Sequence, residues 1–286
     1  MKINTTTALF LLVALLTQTF SAHGAEKAEY KELKDIPYRI AGDEYALERC
    51  KLDIYYPETA PADGAPVVVW FHGGGLTGGQ KEIPERLRHA GYVVMAPNYR
   101  LLPKVEIDST LDDAAAAVEW AFRNCRDYGG SPEKIFVTGH SAGGYLTAML
   151  GLDKSLLDAY GIDADSIAGL IPFSAQTISH FSYRDMNGIG NLQPTIDKYA
   201  PLFHVRKDAP PLILITGDRE QEIFGRYEEN AYLWRMMRLN GHPETYIYEI
   251  GGHDHGAMVE PSFHILRQWI DRILRSRIPS PTQSGK

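Results

Sequence analysis

The chain has 286 residues, 36 acidic against 29 basic, and a formal net charge of −7, a balance that argues against a polyanionic partner such as nucleic acid. With 44% hydrophobic residues it can bury a sizeable core, and about 260 residues beyond a leader suit one α/β domain. Two cysteines, Cys50 and Cys125, either pair in an oxidising compartment or stay as unpaired buried thiols, since a core of this size needs no staple.

In chain order, Met1-Lys2, the nine apolar residues Ala8 to Leu16 and the small residues Ser21 to Ala25 read as a secretory signal peptide, cleaved after Ala22, Gly24 or Ala25. The apolar stretch is too short to span a bilayer. Residues 1–24 are therefore expected to be a leader and 25–286 a single exported domain. Leu52 to Tyr56 alternates like a strand, and Pro57 to Pro66 is turn-rich. Pro66 to Phe71 and Tyr92 to Ala96 are continuous apolar runs, as expected of strands buried on both faces. Leu111 to Asn124 reads as helix, Lys134 to Thr138 as strand and Gly144 to Leu150 as helix. Further strands are expected at Ile167 to Ile171, Leu212 to Thr216 and Glu244 to Glu249, and helices at Arg226 to Leu239 and Ser262 to Arg275. Such alternation implies a mostly parallel, doubly wound sheet with ligands at the strand C-termini. Ser174 to Asp208 lacks a period and reads as a short cap insertion.

Gly139-His-Ser-Ala-Gly143 sits where a β-branched strand meets a helix. A serine between glycines at such a turn has its hydroxyl lifted above the sheet edge, with the helix N-terminus aimed at a developing oxyanion. Phe71-His72-Gly73-Gly74-Gly75 follows a buried strand, and glycine-rich backbone there lets N–H groups converge on an oxygen. Gly74, Gly75 and Ala142, the residue after Ser141, are the candidate donors. Neither a G-x-x-x-x-G-K-[ST] nor a G-x-G-x-x-G with a following acid is present, so a nucleotide loop is disfavoured.

Gly251-Gly-His-Asp-His-Gly256 lies between the last strand and the last helix, from where a histidine can reach that serine. His255, followed by glycine, is the candidate base and His253 the reserve. A His-x-His metal site lacks a third ligand at tetrahedral spacing, and no cofactor is expected. After Leu212 to Thr216 comes Gly217-Asp218-Arg219-Glu220, and either Asp218 or Glu220 can orient the histidine. Serine, acid, histidine is the order expected of the strand–turn–helix hydrolases.

Together His72-Gly-Gly-Gly75, Asn98-Tyr-Arg-Leu-Leu-Pro103, Gly139-His-Ser-Ala-Gly143 and the late His-Gly resemble the α/β-hydrolase esterases. The resemblance is to the branch of hormone-sensitive lipase and of bacterial feruloyl and acetyl esterases. It implies the α/β-hydrolase fold, an acid three residues after the strand-ending glycine, at Glu220, and Tyr99 and Arg100 bracing the oxyanion loop. Asp112 and Asp113 are expected to cap and support a helix start. The resemblance further implies an acyl-enzyme hydrolysis of short-chain, acetyl or feruloyl esters, small or borne on plant cell-wall polysaccharide. Phe173, Phe181 and Tyr183 either pack the cap or hold a hydroxycinnamoyl ring. A serine peptidase of the prolyl-oligopeptidase type and a non-catalytic binding protein on the same fold are the alternatives.

Overall fold

The structure, a computed structural model, describes residues 29–277; the expected leader lies outside them. An eight-stranded sheet forms its centre. The strands are β1 (Tyr30–Pro37), β2 (Lys51–Pro57), β3 (Ala65–Phe71), β4 (Val93–Pro97), β5 (Gly130–His140), β6 (Gly169–Phe173), β7 (Leu212–Gly217) and β8 (Thr245–Ile250). Their order across the sheet is β1-β2-β4-β3-β5-β6-β7-β8. β1 and β2 pair antiparallel, as do β2 and β4, and all pairings from β4 to β8 are parallel. The helices are α1 (Glu44–Arg49), α2 (Ile107–Asn124), α3 (Ala142–Leu152), α4 (Lys154–Asp158), α5 (Phe181–Met186), α6 (Arg226–Leu239) and α7 (Val259–Ser276).

The apolar runs follow from burial on both sides. In β3, Val67, Val69 and Phe71 enter the core shared with α2, α3 and α6, while Val68 and Trp70 face α7. Strand side chains alternate, so two covered faces require every position to be apolar. Helix α3 is buried along its whole length. Helix α7 instead offers one stripe, Phe263, Leu266, Ile270 and Ile273, to the opposite face, the spacing of an amphipathic helix. Phe173, read from sequence as a cap aromatic, packs edge-on against Trp70 and Phe263 in this second core. It is fully buried there and cannot hold a substrate ring.

Strand β1 has no counterpart among the sequence expectations. It is an edge strand with mostly exposed, charged residues, so it carries no apolar signal. Such charges also guard an open sheet edge against further pairing. Cys50 and Cys125 are both buried and free, and burial raises their thiols to about 12 and about 11. Among the described residues no helix is long and apolar enough to cross a membrane.

Between β6 and β7 the chain leaves the sheet for residues 174–211, carrying α5 and a 3-10 turn at Pro201–His204. This segment folds back onto the glycine loop after β3: the Ser182 hydroxyl donates to the Gly75 carbonyl. A side chain on Gly75 would meet the Phe181 ring at 3.0 Å. The insertion is thus seated beside the C-terminal strand ends.

Candidate active site

Five neighbouring strands each deliver one part of the site from their C-terminal ends: β3 the glycine loop, β5 Ser141, β6 Ser174, β7 the turn with Glu222, and β8 the loop with His255. Ser141 has φ 56 and ψ −113, a backbone state that a residue with a side chain adopts at a cost of about 1–3 kcal/mol. The strain is held by close packing. A side chain on Gly143 would enter the Phe71 carbonyl, and one on Gly144 would come within 2.7 Å of the Phe173 carbonyl. Only glycines let α3 start this close to β3 and β6. Ser141 is nearly buried, and its backbone N–H donates to Phe173 O at 2.9 Å.

His255 Nε2 lies 2.9 Å from Ser141 Oγ. On the far side of the ring, Nδ1 is 2.8 Å from Glu222 Oε2 and 2.8 Å from Ser174 Oγ. The Ser174 hydroxyl donates to Glu222 Oε1 at 2.6 Å, and the Gly217 N–H donates to the same oxygen at 2.9 Å. Burial alone would push the Glu222 carboxyl upward. Hydrogen bonds from His255, Ser174 and the Gly217 N–H outweigh it and hold the group near 2, so it is an anion throughout the neutral range.

The acid position thus differs from both sequence candidates. Asp218 accepts from the N–H groups of Gly252 at 2.6 Å and Glu220 at 2.9 Å, and its own N–H donates to His253 O. It staples the β7 turn to the His255 loop without touching the ring. Glu220 is exposed. The reason is an extra turn: the Gln221 and Glu222 N–H groups both return to Asp218 O, which carries the acid two positions further and folds it back to Gly217. A side chain on Gly217 would lie 2.6 Å from His253 O and 3.0 Å from Glu222 Oε1, so that glycine opens the space for the carboxylate. The ring of His253, the reserve base, lies 3.0 Å from Gly251 O and does not reach Ser141.

His140 and His72 flank the site as neutral rings. Burial lowers each to about 4. His140 Nε2 donates to His255 O at 2.8 Å, and its ring lies 4.7 Å from that of His255. His72 donates from Nδ1 to Gly73 O at 2.7 Å and stacks on Tyr99 at 4.4 Å. A side chain on Gly73 would lie 3.5 Å from Ser141 Cβ, so the glycine loop runs directly over Ser141. Gly74 and Gly75 follow with φ 113 and 63, conformations natural only to glycine.

Tyr99 braces this loop, while Arg100 ties the bend behind it to helix α2. The Tyr99 hydroxyl donates to His72 O at 2.8 Å, and Leu102 N–H donates to Leu76 O at 2.9 Å. Arg100 forks onto the fully buried Asp113 carboxylate at 2.8 and 2.9 Å, and Arg39 adds a contact at 2.8 Å. Asp112 pairs with Arg39 at 2.5 Å and with the Tyr160 hydroxyl at 2.7 Å. Helix α2 begins at Ile107, so Asp112 and Asp113 lie in its second turn and act as ion-pair partners, not as caps. On the insertion, Phe181 faces Phe224 at 5.6 Å beside the loop, whereas Tyr183 packs on Tyr199 at 4.7 Å.

The BD-FAE family model matches residues 52–166, a stretch holding the glycine loop and Ser141 but neither Glu222 nor His255. Esterase LipC of Mycobacterium tuberculosis is 25% identical over 255 residues, 79% of this chain and 63% of that protein. Carboxylesterase NlhH of the same organism is 35% identical over 126 residues, 42% of this chain and 35% of that one. The chain thus spans between about a third and two thirds of the length of these relatives. Among solved structures, a truncated carbohydrate esterase from gut microbiota superimposes with a TM-score of 0.70 at 16% identity. That match covers 87% of this chain and 98% of the other. Esterase 2 of Thermogutta terrifontis gives 0.66 at 22% identity, covering 87% and 95%. By its sheet order and these likenesses, the chain has the α/β-hydrolase fold and is similar to esterases that share it.

Proposed function

We propose that the protein is an exported serine carboxylic-ester hydrolase working through an acyl-enzyme. The observation that carries this is the continuous line of hydrogen-bonding groups from Ser141 Oγ through His255 to Glu222, beneath a glycine loop that overhangs the serine. His255 takes the Ser141 proton as Oγ attacks the ester carbonyl. N–H groups of Gly74, Gly75 and Ala142 receive the oxyanion, each worth about 3 kcal/mol at the transition state. The imidazolium then protonates the leaving alcohol, and the same ring activates the water that releases the acid. Glu222 keeps Nδ1 protonated and balances the imidazolium charge without taking the proton.

The substrate class we favour is the short acyl or feruloyl ester, including acetyl and feruloyl groups carried on plant cell-wall polysaccharide. Its support is the Phe181–Phe224 pair beside Gly75, an aromatic wall formed between the insertion and the loop after β7, together with the likeness to a carbohydrate esterase. The test is hydrolysis of p-nitrophenyl acetate, p-nitrophenyl octanoate, methyl ferulate and acetylated xylan, with Ser141→Ala alongside. Turnover of ferulate or acetylxylan that falls by several orders of magnitude in the variant is the expected result. Unchanged turnover in Ser141→Ala would sink the assignment. Activity on the aryl esters alone would leave a carboxylesterase without the polysaccharide role.

A further inference from the structure

Ser174 is the last residue one would leave at its position for backbone reasons. Its φ is 44, where glycine is preferred, yet it carries a hydroxyl and is fully buried. The main chain around it is clamped on three sides. Its N–H donates to Ile215 O at 2.6 Å, the buried Arg226 guanidinium donates to its carbonyl, and Asn230 Nδ2 donates to Ala175 O at 2.7 Å. Backbone strain kept by so many restraints usually serves the site it faces.

What it faces is the back of the reacting pair. A carboxylate only accepts, so the Ser174 O–H is committed to Glu222 Oε1 and the Oγ lone pair is turned to His255 Nδ1. The Nδ1 proton is then shared between Glu222 Oε2 and Ser174 Oγ. A glutamate has one more rotatable bond than an aspartate, and with Oε1 pinned by Ser174 and Gly217 only Oε2 is left for the histidine. We infer that Ser174 is a positioning residue for the proposed hydrolysis, acting through Glu222 and His255 as the third member of their hydrogen-bonded ring. The other groups around the imidazole are Ser141 and His140 from the β5 end, with Arg226 of α6 behind Ser174. Asp254 is turned away, accepting from the Gly256 and Ala257 N–H groups.

The inference rests on the esterase reading, and the experiment separates the two. Ser174→Ala and Ser174→Gly both delete the hydroxyl, but glycine also relaxes the backbone, so a purely structural serine would be replaced by glycine without loss. Expected in both variants is a kcat on p-nitrophenyl acetate lower by about ten- to a hundredfold, the value of a hydrogen bond to a charged group. KM should stay nearly unchanged and the acidic limb of the kcat/KM profile should move. The downfield proton NMR resonance of His255 Nδ1–H should shift, and in a Glu222→Gln background Ser174→Ala should add little further loss. Wild-type kcat, pH profile and resonance in Ser174→Gly would overturn the inference, as would a fully additive loss on Glu222→Gln. A wild-type protein that neither hydrolyses esters nor takes a serine-directed phosphonate would instead overturn the esterase reading, and this role with it.

Discussion

Glu222 keeps its charge at a place where burial works against it. Its side chain is 1% exposed, and the anion survives because four donors converge on its two oxygens. Replacing it with glutamine keeps the shape but offers an amide where His255 Nδ1–H needs an acceptor. Glu222→Gln is therefore expected to lower kcat by about 10³–10⁴, the penalty for losing the orienting acid of such a triad. Glu220→Gln should stay within about a factor of two, as exposed substitutions do. Asp218→Asn should lower thermal stability before it lowers turnover, because Asp218 joins two loops and no reacting atom. Steady-state kinetics and melting curves on the three variants check the assignment. Equal losses at Asp218 and Glu222 would contradict it. At this scale the sequence was legible where glycine punctuated it. Ser141 stands out between glycines because the turn that presents it has no room for side chains, and His255 because its glycine-flanked loop joins the last strand to the last helix. Glu222 did not, since its place depends on a turn closed by Asp218 O, two residues longer than the spacing expected. Ser174 gave no signal at all, because its partners are 48 and 81 residues away in sequence.

The elements themselves were legible in proportion to their burial. β3 and β4 are apolar throughout and β7 nearly so, and they declare themselves, whereas β1 pairs with β2 along an exposed edge and looks like any charged segment. The insertion between β6 and β7 has no period because its contacts are made to the glycine loop, not to a sheet face. Helix α5 is held there by Ser182 on Gly75 O and by Phe181 N–H on Gln176 Oε1 at 2.8 Å. This seat lets two roles of Phe181 be separated, the proposed wall for an acyl ring and the brace for Gly75. Phe181→Ala is expected to raise KM for methyl ferulate roughly tenfold, about the value of one aromatic contact, with p-nitrophenyl acetate little affected. An equal drop in kcat on both esters would assign Phe181 to the brace alone.

At the scale of the molecule, the buried histidines set an acid limit. His72 and His140 are near 4 in the folded protein, against an ordinary value of 6.5, and buried His180 is also lowered. A lowered pKa means that the unfolded chain binds the proton first, so the stability these groups contribute is present above pH 6.5 and lost as pH falls toward 4. For His72 the loss by pH 4 is about 3 kcal/mol; for half-buried His140 it is smaller. Glu222 extends the decline, from about 4.5 down to about 2. Calorimetry should find the melting temperature lower by on the order of 10 °C at pH 4 than at pH 7, with His140→Gln flattening part of the curve. A melting temperature independent of pH over this range would contradict buried, neutral histidines.

The delivery of one group from each of five adjacent strands also has a kinetic meaning. Pairing of β3 with β5 joins Val67 to Ile135, and β7 must find β8 before His255 can approach Ser141. These are long loop closures, slow compared with the growth of a helix. On refolding, helical signal from α2, α3 and α7 can return while the site is still in pieces. In the proposed hydrolase the first turnover therefore times the closing of the last strand pair, and a chain cut anywhere between Gly75 and His255 leaves neither fragment with a whole site.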